Sequence, residues 1–330
     1  MGEPSNLLLK LSRRLFAEAC DRDAFVAALT QPQPCTNAVV WMQPRPANLP
    51  FAIAPPLPWQ PVWVDRLVPD QRPGQHPLHQ AGAYYCLDLA SVFAAAVFSA
   101  IPTPVAAVLD LCAAPGGKSF LAWRALSPTH LWVNEAIRKR VKILIANLKR
   151  CGLTEALVFN LDPQVLAQQI ASQVAVTVVD APCSGQSLLA KGDQALGCFH
   201  PVNIKKNASR QKRILASAAQ TVAGGGYLAY MTCTFSPEEN EQVAQWLLKK
   251  FPQFKAIAVP ALSDFASPLT EMPCYRLWPQ SGQGAGGFTV LFHHQGDRAE
   301  PLDLGSLASQ AMAIYAPRPE RSPDSCLVYL

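Results

Sequence analysis

The 330-residue sequence lacks the patterns that mark several common classes of protein. It has no apolar run of about 18 residues, so no transmembrane helix is expected. The N-terminus shows no charged-then-apolar signal pattern, and none of the ten cysteines belongs to a C-x-x-C pair. We therefore expect a cytoplasmic protein with reduced thiols, no metal site and no membrane partner.

Two familiar nucleotide-binding signatures are also absent. No G-x-G-x-x-G fingerprint occurs, and the P-loop-like ending Gly117-Lys118-Ser119 has Cys112 where a P-loop needs its first glycine. The sequence does contain an apolar run over residues 105–111, which predicts a buried strand, followed by a glycine turn and a helical pattern. Such a unit is typical of nucleotide-like ligand sites. S-adenosylmethionine, which has no phosphates, suits this short turn, and an ordinary strand-to-helix turn is the alternative.

Strands and helices alternate in the prediction from Val105 onward, which is typical of an α/β fold with a doubly wound, mostly parallel sheet. The seven predicted strands cover residues 105–111, 131–133, 156–159, 175–179, 227–231, 255–259 and 288–292. The predicted helices between them cover residues 119–126, 137–150, 164–172, 207–222 and 237–250. A helical stretch over residues 5–30 and short strands among many prolines predict a small N-terminal α/β domain.

Polar side chains stand at the carboxyl ends of the predicted strands, where open α/β sheets bind ligands. They are Asp110, Glu135, Asp162, Asp180 and Cys233. Glu135 could accept hydrogen bonds from ribose hydroxyls, and Asp162 could bind an adenine amino group. A single carboxylate at a strand end could instead cap a helix.

Two thiols are expected to converge at this edge of the sheet. Cys183 lies in the turn of residues 180–185, and Cys233 follows the fifth strand, before a predicted capping box over residues 236–239. Pyrimidine C5 is a poor nucleophile, but a thiolate that adds to C6 activates it toward a sulfonium methyl group. A second group must then help to remove the C5 proton. Two buried structural cysteines are the alternative.

Four stretches resemble, in order, the motifs of the Nol/Nop/Sun (RsmB/RsmF) family of S-adenosylmethionine-dependent RNA 5-methylcytosine methyltransferases, in particular its bacterial RsmF-type ribosomal RNA members. They are residues 110–119, 134–152, 180–185 and 232–241. The resemblance covers roughly residues 5–294 and implies a class I, Rossmann-like methyltransferase fold. It implies methylation of cytosine C5 in RNA, with ribosomal RNA favoured over transfer RNA. A catalytically inactive RNA-binding or ribosome-assembly protein is the other alternative, and retention of both cysteines argues against it.

The resemblance also implies roles for individual residues. Cys233 would be the nucleophile, Cys183 would assist release of the methylated base, and Lys118 and Asp180 would lie near the target ring. The residues implied in binding S-adenosylmethionine are Cys112, Ala113, Ala114, Pro115, Gly116, Gly117, Lys118, Glu135, Asp162 and Asp180. Leu87 and Ala90 depart from the Gln and Ser of many members, and the family's further C-terminal RNA-binding domains are not expected within these 330 residues.

Charge is unevenly distributed over the three predicted parts of the chain. These are an RNA-facing N-terminal domain (residues 1–100), a catalytic domain (101–295) and a tail (296–330). Residues 105–294 carry eighteen basic and eleven acidic side chains, whereas residues 1–104 carry seven of each. A basic excess favours a polyanionic partner. We predict a monomer that contacts RNA through the densest cluster, with a solvated helix face as the alternative: Lys205, Lys206, Arg210, Lys212 and Arg213.

Overall fold

The computed structural model describes residues 4–32 and 37–297 of the chain. Within these two ranges no helix is both long enough and apolar enough to cross a membrane. The predicted tail, residues 296–330, lies outside the described residues except for its first two positions.

The first hundred residues contain a three-stranded antiparallel sheet in the order β2–β1–β3. The stretch predicted as helical over residues 5–30 forms two helices, because the chain is extended at Phe16 and Glu18 between them. β3 was not predicted as a strand. The elements are α1 (Asn6–Leu15), α2 (Ala19–Thr30), β1 (Asn37–Trp41), β2 (Val64–Arg66), α3 (Pro77–Gln80), β3 (Tyr84–Asp88) and α4 (Leu89–Ala95).

The remaining elements build a second, larger sheet with the predicted alternation of strands and helices. Strands alternate with helices up to β8, and the chain then closes with three antiparallel strands. The elements are β4 (Ala107–Asp110), α5 (Gly117–Leu126), β5 (His130–Asn134), α6 (Arg138–Arg150), β6 (Leu157–Phe159), α7 (Pro163–Gln169), β7 (Val174–Asp180), α8 (Pro201–Thr221), β8 (Val222–Thr232), α9 (Glu241–Lys250), β9 (Phe254–Ala256), β10 (Tyr275–Leu277) and β11 (Gly287–His294).

The large sheet confirms the predicted fold class, a doubly wound and mostly parallel sheet of the Rossmann-like type. Its order is β10–β11–β8–β7–β4–β5–β6, and β9 also pairs with β11. β6, β5, β4, β7 and β8 are parallel neighbours, whereas β11 runs antiparallel to β8. The sheet has eight strands rather than the predicted seven, because the short strand β10 forms a hairpin with β11.

Helices cover both faces of this sheet. Side chains alternate between faces along a strand, so neighbouring residues such as Val108 and Leu109 enter different buried clusters. The Val108 cluster includes side chains of α4, α5 and α6, and the Leu109 cluster includes those of α7, α8 and α9. Strands buried on both faces explain the continuous apolar run that was read from the sequence.

α1 and α2 pack against loops of the large sheet. Phe25 of α2 is fully buried, with its ring 5.1 Å from that of Phe235, and Phe16 lies 4.7 Å from Trp278. Arg14 of α1 also pairs with Glu238 at 2.6 Å. The first two helices are thus anchored close to the turn that carries Cys233.

Candidate active site

The glycine turn after β4 is held by a buried carboxyl group. Asp110 accepts hydrogen bonds from the Ser119 hydroxyl at 2.6 Å and from the Cys112 N–H at 3.3 Å. Burial raises the pKa of Asp110 to about 7. Gly116 has φ +119°, and a β-carbon there would lie 3.0 Å from the Phe120 ring. The position therefore requires glycine, because L-residues rarely adopt this conformation.

Asn134 at the end of β5 connects three neighbouring turns. Its side-chain amide donates to the carbonyls of Leu111 and Leu161 at 3.2 and 3.1 Å, and it accepts from the Leu161 N–H at 3.1 Å. The next residue, Glu135, has a side chain only 4% exposed that accepts from the Ile137 N–H at 2.8 Å. This network places the Glu135 carboxylate beside the glycine turn.

Arg140 pairs with the carboxylate of Glu135 at 3.0 Å and also donates to the carbonyl of Ala114. Asn147, seven residues further along α6, donates to the carbonyl of Pro115 at 2.9 Å. Arg140 and Asn147, which lie in the second of the four family-like stretches, therefore hold the glycine turn against α6.

Asp162 is exposed, and its carboxylate accepts from the Gln164 N–H at 2.9 Å at the start of α7. This is the helix-cap arrangement that was one of the two interpretations of the sequence. A second role for Asp162 toward a ligand stays a prediction.

Lys118 and Asp180 meet between the glycine turn and the end of β7. The ammonium group of Lys118 lies 3.1 Å from the Asp180 carboxylate and 3.2 Å from the hydroxyl of Ser91 in α4. The Lys118 side chain is 10% exposed, whereas that of Asp180 is 36% exposed. The pair thus presents its carboxylate, rather than its ammonium group, to the open side of the site.

The two cysteines at the ends of β7 and β8 are in direct contact. The sulfur atoms of Cys183 and Cys233 lie 3.1 Å apart, and Cys233 is exposed. The hydrogen bond from the Cys183 thiol lowers the pKa of Cys233, and the positive charges of Lys118 and Lys191 lower it further. The same contact and burial raise the pKa of Cys183. The arrangement makes Cys233 the more acidic of the two thiols.

Glu239 is the organising residue of this corner, and the predicted capping box that includes it is wrong. Its fully buried carboxylate accepts from the Ser184 N–H at 2.9 Å, from the Ser184 hydroxyl at 2.5 Å and from Gln211 of α8 at 3.0 Å. α9 begins only at Glu241, because residues 237–240 form turns that direct Glu239 toward Ser184.

Two buried glutamines complete the support of the cysteine-bearing turns. Gln211 donates to the carbonyl of Pro182 at 3.0 Å. Gln186 donates to the Ser236 hydroxyl at 2.7 Å and accepts from the Phe235 N–H at 2.9 Å. No local pattern distinguishes these glutamines from surface ones, so sequence reasoning missed them.

The predicted basic cluster lies on α8, the helix that carries Gln211, and Lys205 and Lys212 line a surface pocket together with Glu238. Lys205, Lys206, Arg210 and Arg213 are exposed. Lys212 is half-buried, with its ammonium group 5.9 Å from the Trp246 ring centre. Among residues 4–32 and 37–297, no group of three or more His, Cys, Asp or Glu side chains could hold a metal ion.

Comparisons with solved structures agree with this fold. The chain superposes on a methyltransferase homolog protein from Pyrococcus horikoshii with a TM-score of 0.68 and 21% identity, covering 88% of this chain and 99% of that one. It also superposes on NSun6 from Pyrococcus horikoshii with SFG, with a TM-score of 0.68 and 17% identity, over 89% of this chain and 99% of the other.

Comparisons of sequence identify the family. The chain is 32% identical to ribosomal RNA small subunit methyltransferase F of Cronobacter sakazakii over 253 residues, which are 75% of this chain and 52% of that protein. It is also 32% identical to the protein of the same name from Klebsiella pneumoniae, over 81% of this chain and 59% of the relative. The chain therefore spans a little over half the length of these relatives. Since residues 100–293, more than half of the chain, match the family model described as 16S rRNA methyltransferase RsmB/F, this chain belongs to that family.

Proposed function

We propose that this protein transfers a methyl group from S-adenosylmethionine to C5 of a cytosine in ribosomal RNA. The observation that carries the proposal is the contact of Cys183 and Cys233 at 3.1 Å, beside the Lys118–Asp180 pair. A lone nucleophilic thiol would suit many reactions. Two thiols, one of them with a lowered pKa, suit addition to a ring followed by release from it.

The cofactor of this family is S-adenosylmethionine, and the residues at the carboxyl edge of the sheet fit it. At Gly116 a β-carbon would crowd the Phe120 ring, and the carboxylates of Glu135, Asp162 and Asp180 stand at or shortly after the ends of three strands around that turn. Carboxylates suit the hydroxyl and amino groups of an adenosine. We assign the cofactor to this cradle, formed by residues 112–118 with these three acids, where it would supply an electrophilic methyl group.

Cys233 begins the reaction as a thiolate. Its sulfur forms a bond to C6 of the cytosine. The electron pair of the C5–C6 double bond shifts toward C5 and is delocalised to N3, which makes C5 nucleophilic. Asp180 faces the ring from the open side of its pair with Lys118 and assists at N3. Electron density builds up at N3 as the adduct forms, so the group that assists there must donate a proton. We assign that proton to the Asp180 carboxyl group, which Lys118 holds in position at 3.1 Å.

Release requires that C5 lose its proton and that the bond between Cys233 and C6 break. Cys183 is placed to assist this step, because its thiol already touches the Cys233 sulfur. Its raised pKa makes its thiolate the stronger base of the two. Once Cys233 is bound to C6, Cys183 gives its proton to solvent and its thiolate takes the proton from C5. The C–H electron pair then re-forms the C5–C6 double bond, and Cys233 leaves as a thiolate.

RNA would approach this edge over a positively charged surface. We propose contacts from the cluster on α8, namely Lys205, Lys206, Arg210, Lys212 and Arg213, and from the first hundred residues, which we treat as an RNA-facing domain. The names of the relatives favour ribosomal RNA over transfer RNA. A ribosomal substrate would be met in the cytoplasm, so a cytoplasmic location is part of the proposal. We also propose that the protein acts as a monomer.

The test is transfer of labelled methyl groups to ribosomal and transfer RNA, with digestion to nucleosides. We expect label in 5-methylcytosine with ribosomal RNA, no product with Cys233→Ala, and unchanged binding of S-adenosylmethionine by that variant. Cys20→Ala, a change of an exposed thiol on α2, is the matched control and should keep full activity. Label on transfer RNA alone would transfer the proposal to that substrate. No label with either RNA would indicate a protein that binds RNA without catalysis.

A further inference from the structure

A cavity of about 520 Å³ opens between α2, the 3-10 helix Gln186–Lys191 and the loop of residues 279–285. Ligand pockets commonly measure about 300–1,000 Å³, so this cavity has room for a small organic group. The side chains that α2 contributes to its lining are small, namely those of Ala24, Ala27 and Ala28. None of the residues assigned above to catalysis or to the cofactor lines it.

Acceptor atoms without partners belong to the lining. Among the described residues, neither Oδ2 of Asp88 nor Oε1 of Gln280 has a hydrogen-bond partner, although both atoms are buried. The Asp88 side chain is 7% exposed, and its other oxygen accepts from the N–H groups of Ala90 and Ala285 at 2.8 and 3.2 Å. Buried acceptors of this kind are uncommon in proteins and indicate a missing donor.

Lys191 supplies the complementary charge. Its ammonium group lies 3.7 Å from Oδ2 of Asp88, which is an ion-pair distance but too long for a hydrogen bond. Asp88 and Lys191 therefore hold one another in place while both keep hydrogen-bonding capacity for a third group. Such a group must offer a donor to the carboxylate and an acceptor to the ammonium.

The cavity shares elements with the candidate active site. The helix Gln186–Lys191 directly follows the turn with Cys183, and the Ser187 N–H donates to the Cys233 carbonyl at 3.2 Å. On the other wall of the cavity, Asp88 caps the N-terminus of α4, and in that helix the Ser91 hydroxyl contacts Lys118. A nucleotide next to the reacting one in the same strand is the group that such a neighbouring cavity would receive.

The hydrogen-bonding set selects among the four bases. Aspartate accepts from exocyclic amino groups, as in readout of cytosine N4, and lysine donates to ring carbonyls such as guanine O6. Guanine and cytosine carry both an amino group and a carbonyl, whereas adenine lacks the carbonyl and uracil lacks the amino group. Bases of single-stranded RNA are commonly splayed out and bound in this way.

We propose that the cavity of Asp88 and Lys191 binds a base that flanks the target cytosine in the RNA and selects guanine or cytosine there. The inference rests on the proposed function and adds a sequence-reading site to it. Asp88 is then a specificity-determining residue that takes no part in the methyl transfer itself.

Two substitutions test the site by different means. Asp88→Asn keeps an oxygen for the cap of α4, since Asn and Asp cap helices equally well, but it replaces the free acceptor by an amide donor. Ala27→Leu fills the cavity from an exposed position on α2 without touching its buried face. The matched controls are Asp193→Asn and Ala19→Leu, exposed positions outside the cavity lining.

The measurement uses short RNAs with a fixed target cytosine, each synthesised separately with one defined base at the flanking positions, and compares the rates at which they accept labelled methyl groups. We expect the wild type to prefer guanine or cytosine at one flank by at least about fivefold, the lower end for one specific base contact. Asp88→Asn and Ala27→Leu should remove that preference, and both controls should keep it. Binding of the same RNAs by the Cys233→Ala protein should show the same preference without turnover.

The outcomes separate this inference from the proposed function. If the wild type methylates no RNA at all, the proposed function fails. If it methylates RNA with no flank preference, or with one that Asp88→Asn and Ala27→Leu leave unchanged, the base-reading cavity is overturned and the methyltransferase proposal stands. A preference for adenine or uracil would also overturn the assignment of Asp88 and Lys191.

Discussion

The two halves of the sheet's carboxyl edge are supported in different ways. In the turns proposed to bind the methyl donor (the donor side), residues 110–118 and 134–135, most bonds are local or run to the backbone, such as Ser119 to Asp110, nine residues apart. The contacts of Lys118 with Ser91 and Asp180 are the long-range exception. In the cysteine turns, residues 180–186 and 232–240, buried side chains bind partners far along the chain, such as Glu239 to Ser184, 55 residues apart. The donor side is therefore shaped mainly by backbone conformation, and the cysteine side mainly by tertiary hydrogen bonds.

The buried ion pair behind the cysteine turns should give the largest single effect. Arg276 pairs with Glu241 at 2.5 Å, donates to the Phe235 carbonyl at 3.0 Å and is 1% exposed. Arg276→Ala leaves the Glu241 carboxylate buried without its partner, so we expect a loss of about 3–5 kcal/mol in the free energy of unfolding. Urea denaturation followed by circular dichroism measures it.

The matched control is the exposed pair of Arg14 and Glu238, whose side chains are 50% and 31% exposed. Arg14→Ala should cost no more than about 1 kcal/mol, the usual limit for surface pairs. Equal effects of the two arginine changes would contradict the claim that buried polar contacts dominate the cysteine side.

Glu239→Gln should weaken the same side without removing bulk. The new amide group faces the donors of Ser184 and Gln211, so we expect a loss of about 1–3 kcal/mol in stability. Displacement of the Cys183 turn should also weaken the hydrogen bond that lowers the pKa of Cys233. Alkylation of Cys233 by iodoacetamide at pH 7 should therefore be slower, while binding of S-adenosylmethionine stays unchanged. Glu271→Gln, at an exposed position, is the control, and equal alkylation rates in all three proteins would refute the coupling.

Glu135→Ala tests the donor side. Loss of the hydrogen bonds assigned to this carboxylate should weaken binding of S-adenosylmethionine by about 1–3 kcal/mol, measured by calorimetry. RNA affinity and the alkylation rate of Cys233 should hardly change. A variant that lost RNA binding and still bound S-adenosylmethionine would contradict the assignment of Glu135 to the cofactor.

The smallest effect is expected at the basic cluster on α8, since four of its five side chains are exposed. Lys205→Ala with Arg213→Ala should lower the slope of log affinity for RNA against log salt by about 0.7–0.9 for each lost phosphate contact. The exposed pair Lys249→Ala with Lys250→Ala is the control at the end of α9. An unchanged slope in the first double variant would return the cluster to a solvated helix face.

The donor side was largely predictable from the sequence because its determinants are local. An apolar run, a glycine with positive φ and a helix start identify residues 105–126 without reference to the rest of the chain. The predicted strand ended one residue later than the observed β4, which is within the usual uncertainty of strand ends. The position of Glu135 directly after a strand was also predicted, since an acidic residue after an apolar run is a visible pattern, and its role toward the cofactor stays a prediction.

On the cysteine side, the sequence predicted Asp180 and the two cysteines but not the buried side chains that support them. Ser236, Pro237 and Glu239 match a capping box by spacing, but a buried bond to Ser184 outweighs a local cap. β8 begins at Val222 rather than at the predicted Tyr227. Residues 224–226 are glycines, and their low strand propensity hides this part of the strand in the sequence. Neither Gln186 nor Gln211 carries a signal of its burial in one sequence.

The central claim is that Cys233 forms a covalent bond to the base and that Cys183 assists its release. The most direct measurement incubates the Cys183→Ala protein with RNA and S-adenosylmethionine and separates the products on a denaturing gel. We predict a protein–RNA band that resists denaturation and that disappears in the Cys183→Ala, Cys233→Ala double variant. Normal turnover by Cys183→Ala with no such band would contradict the account and would leave Cys183 as a packing residue.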